Sequence, residues 1–221
     1  SSLITFLLSA LLLLEFDFSS ADKLQLGNKI SWIQSINANY EIGIDGISLP
    51  LLVLSTFITV LAIIYSIEHL PEPKSPKGFL ALILVLETGM NGTFVALDLI
   101  LFFVFFEIVL LPMYFMIGIW GDRTVRTVAG FKNQIETRLY ASIKFFVFTL
   151  FGSAFMLLGF LGLYYRGNKT FSIPELIELG STGAFTGTFA TLVFAVLFLG
   201  FAVKVPMWPL HTWLPDAHTA A

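Results

Sequence analysis

The sequence contains no cysteine and only three histidines, His69, His211 and His218. Without thiols the chain has no disulfide, no thiolate chemistry and no cysteine-ligated iron–sulfur cluster. Three scattered histidines offer little to a haem or a zinc ion, so neither a metal site nor a cofactor site is expected here. Charge is scarce too. Only 12% of the 221 residues are charged, where a soluble domain has about a quarter. No run of lysine and arginine is dense enough for nucleic acid. What replaces charge is apolar: 57% of residues are hydrophobic and the mean hydropathy is +0.87. Such a chain cannot cover itself with polar surface, and it reads as an integral membrane protein.

A helix needs about 20 mostly apolar residues to cross the bilayer core. Six segments meet or approach that length, at about 1–14, 47–67, 79–96, 97–120, 141–165 and 185–213. The fold class expected is all-α, a polytopic transmembrane helical bundle. "MNGT" at 90–93 is an alternative turn between the third and fourth spans, because Asn-Gly favours turns. The chain opens at Ser1 inside an apolar run, without a basic n-region or a small-residue cleavage site after it. That argues against a signal peptide, and both ends look cut, so a fragment of a longer membrane protein is expected. The one long polar insert is 15–41. No internal repeat is visible.

The loop 121–140 carries Arg123, Arg126, Lys132 and Arg138, which places it on the cytoplasmic side. Alternation then puts Lys74 and Lys77 on the same side. Lys23, Lys29, Arg166 and Lys169 are spread over the longer opposite loops.

Four charges lie in or at the edge of apolar spans: Glu87, Glu107, Lys144 and Lys204. Each costs about 2.5 kcal/mol or more at mid-membrane on insertion scales, and such residues usually line polar pathways. Glu107 is the clearest, deep within "DLILFFVFFEIVLLPMYFMIGIW" (98–120) and too short to reach water. Pro112 lacks an N–H, which frees the carbonyl of Ile108 beside it; a carbonyl next to a buried carboxyl can hold water or a cation. The plainer reading is a protonated glutamate bonded to a neighbouring helix. Glu87 is central to its span only if that helix passes Asn91. Lys144 follows the basic loop closely, and an interfacial anchor with a long apolar stem explains it. Asp98 reads as a helix-start residue.

Lys204 ends 25 uncharged residues, 179–203, and opens "KVPMWPLHTWLPDAH". One reading is a helix end whose lysine reaches the interface. The other is a broken helix: Pro206 and Pro209 free the carbonyls of Ala202 and Val205, and His211, Asp216 and His218 form a polar set behind the break. Backbone broken at membrane depth is tolerated only where it lines protein or a water cavity, and such breaks are where transporters bind ions.

"KVPMWPLHTWLPDAH", "YEIGIDGISLPL" (40–51), "LETGMNGTFVALDLILFFVFFEIVLLPMYFMIGIWG" (86–121) and "LYASIKFF" (139–146) occur in one order. Together they resemble the antiporter-like membrane subunits of respiratory complex I, the proton-pumping NADH:quinone oxidoreductase. Within that family they are similar to the M-type branch, whose cyanobacterial and chloroplast relatives are D-type subunits. The resemblance implies about fourteen spans in two inverted five-helix repeats with broken helices, of which this sequence holds spans two to seven. By position it implies that Glu107 is the span-five glutamate acting on a neighbouring lysine, and Lys204 the broken-helix lysine. Lys144 matches a further lysine of the family, and His211 and His218 match the histidines of a proton relay. The family motif continues with Glu-Ala-Pro-Thr, whereas Ala220 stands at the place of that glutamate.

The resemblance further implies redox-driven proton translocation. Glu107 and Lys204 would form an ion pair whose making and breaking sets how firmly the lysine holds its proton, and the two would titrate as a unit. The chain is then expected to serve an enzyme complex without redox chemistry of its own, with flavin, iron–sulfur clusters and quinone in other subunits. Expected partners are other membrane-arm subunits, including neighbouring antiporter-like ones, together with the lipid bilayer and protons. The expected location is the bacterial cytoplasmic membrane, with the thylakoid or another energy-transducing membrane as the alternative. A subunit of a multisubunit sodium/proton antiporter and a purely structural membrane subunit are the rival readings.

Overall fold

The computed structural model describes residues 1–69, 75–127 and 134–221. Lys74 and Lys132, which contribute to the loop-charge argument, lie outside the described residues. Helix α1 (Ser2–Glu15) leads into a hairpin of β1 (Gln25–Ile33) and β2 (Ala38–Ile44). The spans α2 (Ser48–Glu68), α3 (Pro76–Val95), α4 (Leu99–Ile108) and α5 (Leu110–Trp120) follow. A short β3–β4 bridge (Val125–Arg126 and Ile135–Glu136) precedes the long α6 (Thr137–Arg166). The surface helix α7 (Ile173–Ser181), α8 (Gly187–Lys204) and α9 (Trp213–Ala220) complete the chain. Among the described residues five helical stretches are long and apolar enough to cross a membrane, counting α4 and α5 as one. The chain is a helical, integral membrane protein.

Local chemistry starts and stops these helices where it does. The Asp45 carboxylate accepts from the N–H groups of Ile47 and Ser48 at the head of α2. Pro76 occupies the first position of α3, where its missing N–H costs nothing. Asp98 caps α4, as a helix-start residue should, taking the N–H groups of Ile100 and Leu101 at 2.9 and 3.2 Å. The helix α3 runs through "MNGT" to Val95, so Asn-Gly makes no turn there. Gly89 and Gly92 face Val109 and Phe105, and a Cβ at Gly92 would overlap the Phe105 ring. Close packing against α4 outweighs the turn preference of the two residues. Asn91 accepts from Ser55 of α2 at 3.1 Å.

The polar insert folds as an antiparallel hairpin pairing Ile30 with Tyr40 and Asn28 with Ile42, an element absent from the sequence-based expectation. Its strand β2 is mostly buried and β1 mostly exposed. The fully buried Asp98 also accepts from the N–H of Asn39 at 2.9 Å. Around it, Leu97 bonds to Glu41, Leu99 to Phe171 and Ile173 to Leu97 through the backbone. The hairpin, the head of α4 and the lead into α7 are thus one hydrogen-bonded knot at one end of the bundle. Lys29 fastens its outer edge, 2.7 Å from Glu175 and 3.3 Å from Glu41.

The helix α6 spans about 45 Å at 1.5 Å per residue, and it packs most extensively on α8. Glycines set how close that crossing is. A Cβ on Gly200 would lie 2.9 Å from the Gly152 carbonyl oxygen and 2.9 Å from Met156 Cβ, and one on Gly152 would lie 2.7 Å from Val203 Cβ. Gly200→Ala forces the helices apart, and thermal unfolding of the purified protein in detergent should show a loss of about 1–3 kcal/mol. The hydrogen bond from Lys29 holds the Glu175 carboxyl below its ordinary value, and the same bond holds Lys29 above its own. The pair's contribution is therefore present at neutral pH. It is lost as pH falls through the lowered carboxyl value, or rises through the raised lysine value. Both side chains are well exposed, so hydrogen exchange of β1 should respond only weakly to Glu175→Gln, and less still at high salt.

Candidate functional site

The crossing of α6 and α8 determines where the charged residues meet. Lys204 lies one turn beyond Gly200 on the same face of α8, and Ser153 follows Gly152 on α6. Glu107 sits in the last turn of α4, where the helix is interrupted at Val109 before α5 begins. The Lys204 ammonium is 3.9 Å from Glu107 Oε1, with both side chains less than a fifth exposed. It donates to the carbonyl of Phe106 at 3.2 Å and lies 4.0 Å from the centre of the Phe106 ring. Phe106 in turn packs with Phe102 and Phe201, the ring centres 5.4–6.4 Å apart, which puts apolar surface behind the ring that the ammonium meets. The carbonyl that serves the lysine is thus that of Phe106, not the Ile108 carbonyl that Pro112 leaves without a helical partner.

Glu107 has a second partner. The Ser153 hydroxyl bonds to Glu107 Oε1 and also lies 3.0 Å from the Thr149 carbonyl. Serine is common in apolar helices because it can satisfy itself on the preceding turn, so one serine in α6 draws no attention in the sequence. The readable signal is a stripe. Ser142, Thr149 and Ser153 recur at helical spacing on α6, and all three are buried.

The helix does break after Lys204, which ends α8. The carbonyl of Ala202 is not left open: the N–H of Met207 takes it at 2.9 Å. The Trp213 indole donates to the Val203 carbonyl at 2.8 Å across the break, fastening α9 to the end of α8. Beneath it lies a cavity of about 360 Å³ whose lining includes Lys204, Thr149, Met113, Trp213 and His218. Lys204 and His218 therefore open onto one space. His211 does not line it, and its buried Nδ1 has no hydrogen-bond partner among the described residues.

Lys144 is not the free interfacial anchor that its place in the sequence favours. Its ammonium is 2.7 Å from Asp216 Oδ2, while Arg126 holds Asp216 Oδ1 at 2.8 Å. Both cations lie over the ring of Tyr140. The partners are 72 positions apart, so spacing gives no hint of the pair. This triad ties α9 and the 121–127 loop to α6, away from Glu107. Glu87, 4% exposed, accepts from Ser2 of α1 at 3.0 Å, so it faces α1 rather than Lys204's partners. Among the described residues no group of three or more histidine, aspartate or glutamate side chains is arranged to hold a metal.

Residues 96–221 match the family model for NADH:quinone oxidoreductase/Mrp antiporter transmembrane proteins. The chain belongs to that family. Residues 2–93 also match the amino terminus of NADH-ubiquinone oxidoreductase chain 4. NADH-quinone oxidoreductase subunit M of Rickettsia bellii is 38% identical over 225 residues, taking in 100% of this chain and 41% of that protein. A chain in the structure of respiratory complex I from Thermus thermophilus with bound NADH superposes with a TM-score of 0.79. That match has 28% identity and covers 99% of this chain and 41% of the Thermus chain. The Mrp complex from Dietzia sp. has the same fold, with a TM-score of 0.80 at 18% identity, over 100% of this chain and 22% of that one. The chain spans about two fifths of the curated relative it matches. The break after Lys204 and the Glu107 helix both fall inside the stretch that defines this antiporter-like family.

Removing the anion between two cations leaves both unpaired in a partly buried place. Asp216→Asn should lower thermal stability by about 1–3 kcal/mol. A double-mutant cycle with Lys144→Met should recover a coupling energy well above that of an exposed surface pair.

Proposed function

We propose that this chain is part of a proton-translocating membrane-arm subunit in an NADH or related donor:quinone oxidoreductase. Quinone reduction in other subunits would supply the energy, and this chain would carry no redox chemistry itself. Flavin, iron–sulfur clusters and quinone then belong to partners, among them neighbouring antiporter-like subunits. An energy-transducing membrane, in the simplest case the bacterial cytoplasmic membrane, is the setting. The observation that carries the reading is the half-buried Glu107–Lys204 pair at a helix break, 3.9 Å apart.

At 3.9 Å the two charges attract without a direct hydrogen bond. Attraction at this range is about 4 kcal/mol at an effective dielectric of 20, and far weaker in water. A carboxylate at this distance favours the charged ammonium; losing that negative charge, by protonation or by withdrawal, favours release of the lysine's proton. The cavity below Lys204 offers a place for the released proton, with His218 as the first group able to take it. Lys144, His211 and the Asp216 triad act on the geometry of α9 in this scheme.

The rival with an observation behind it is cation/proton antiport, supported by the shared fold of the Mrp complex. Lys204→Ala in the intact complex should abolish proton pumping while leaving assembly intact. Glu107→Gln should slow it by about tenfold or more, the rate equivalent of one buried charge interaction. Undiminished pumping in a fully assembled Lys204→Ala complex would overturn the proposal. Pumping that requires sodium would favour the antiport reading.

A further inference from the structure

Ser153 has one hydroxyl hydrogen and two acceptors. It is buried on α6, bonded to Glu107 Oε1, with the Thr149 carbonyl 3.0 Å away. A hydroxyl can donate to only one of them at a time, while its oxygen keeps lone pairs free to accept. The same Oε1 that meets this hydroxyl is the atom 3.9 Å from the Lys204 ammonium. One carboxylate oxygen is therefore shared between a neutral donor and a cation, and only the neutral donor is in hydrogen-bond contact.

We propose that Ser153 is a positioning residue for the Glu107–Lys204 pair, holding Glu107 in both of its protonation states; this rests on the proton-transfer reading above. With Glu107 ionised, Ser153 donates to Oε1 and keeps the carboxylate at arm's length from the ammonium. When Oε1 takes a proton, the carboxylic acid becomes the donor and its O–H bonds to Ser153 Oγ. The serine hydrogen then turns to the Thr149 carbonyl by rotation about the Cβ–Oγ bond. No serine O–H bond is broken, and the added proton stays on Glu107. In each state the Ser153 hydroxyl and Glu107 Oε1 stay bonded to one another, so protonation does not cost the desolvation of an unmade bond between them. Thr149 also lines the cavity shared by Lys204 and His218.

The test uses the intact complex and two readouts, proton pumping and the infrared carboxylic C=O band of Glu107, assigned by its loss in Glu107→Gln. In Ser153→Ala the band should move to higher wavenumber, as expected for a carboxylic acid without a hydrogen-bond partner. Pumping should fall about tenfold, the equivalent of one charge-assisted hydrogen bond. Ser153→Thr, which keeps the hydroxyl, should return both toward wild type, and Ser153→Cys, a weak donor of similar size, should lie between. An unmoved band in Ser153→Ala overturns the inference, whether pumping is normal or reduced, since a merely structural serine would change assembly without touching the carboxyl. If Ser153→Ala fails to assemble, an unmoved band in Ser153→Cys overturns it equally. Normal pumping in Glu107→Gln would sink the proton-transfer reading, while a band shift in Ser153→Ala would still uphold the hydrogen-bond assignment.

Discussion

A charge in hydrocarbon must find its partners within the protein, and Lys204 is where this chain meets that demand. Among the described residues its ammonium meets a carboxylate at 3.9 Å, the Phe106 carbonyl at 3.2 Å and the Phe106 ring at 4.0 Å. Much of the surrounding structure exists to make them available. The carbonyl and carboxylate come from the last turn of α4, just before the interruption at Val109. The lysine arrives at the end of α8, where prolines stop the helix. The two meet because Gly152 and Gly200 bring α6 and α8 to near backbone contact. A larger residue at either glycine would move the lysine away from its partners without touching any of them.

The second half of the broken helix is held by different means. Its start is fixed by an indole bonded to the Val203 carbonyl, and its flank by Asp216 between two cations. Between these two attachments lies the cavity onto which Lys204 and His218 open. The polar groups of the region thus form two separate sets, Glu107–Ser153–Lys204 and Lys144–Asp216–Arg126, both read out through α6. A change in one set reaches the other through a single rigid helix or through the short turn at 205–212.

The spans were legible because long uncharged runs have few other uses, and the rarity of charge made Glu107 and Lys204 stand out. The family resemblance, carried by four ordered motifs, agreed with the family that the comparisons assign. What could not be read was whatever depends on distant partners. The hairpin has weak alternation, and it is held through residues 97–99 and 171–173, far along the chain. Asn91-Gly92 has the signature of a turn, yet sits inside a helix because Phe105 needs the space. Lys144 looks like an anchor until Asp216 is placed beside it. Proline chemistry correctly located the break after Lys204, but one of the two carbonyls it left open, that of Ala202, is filled by the N–H of Met207. Ser153 taken singly is silent for a subtler reason: a serine that can satisfy itself on its own helix carries no mark of a second partner, and only the stripe it makes with Ser142 and Thr149 singles it out.

The knot around Asp98 gives the bundle a fixed reference. Asp98 is welded by three N–H groups to β2 and to its own helix, and backbone bonds flank it on both sides. Glu107 stands nine residues along from that weld, a distance of about 13 Å set by helical rise alone. The carboxyl is therefore surveyed from a stationary mark, whereas the ammonium hangs on the flexible four-carbon stem of a lysine in the last turn of α8. Any motion that changes the spacing of the pair falls to the cation, and the acid serves as its gauge.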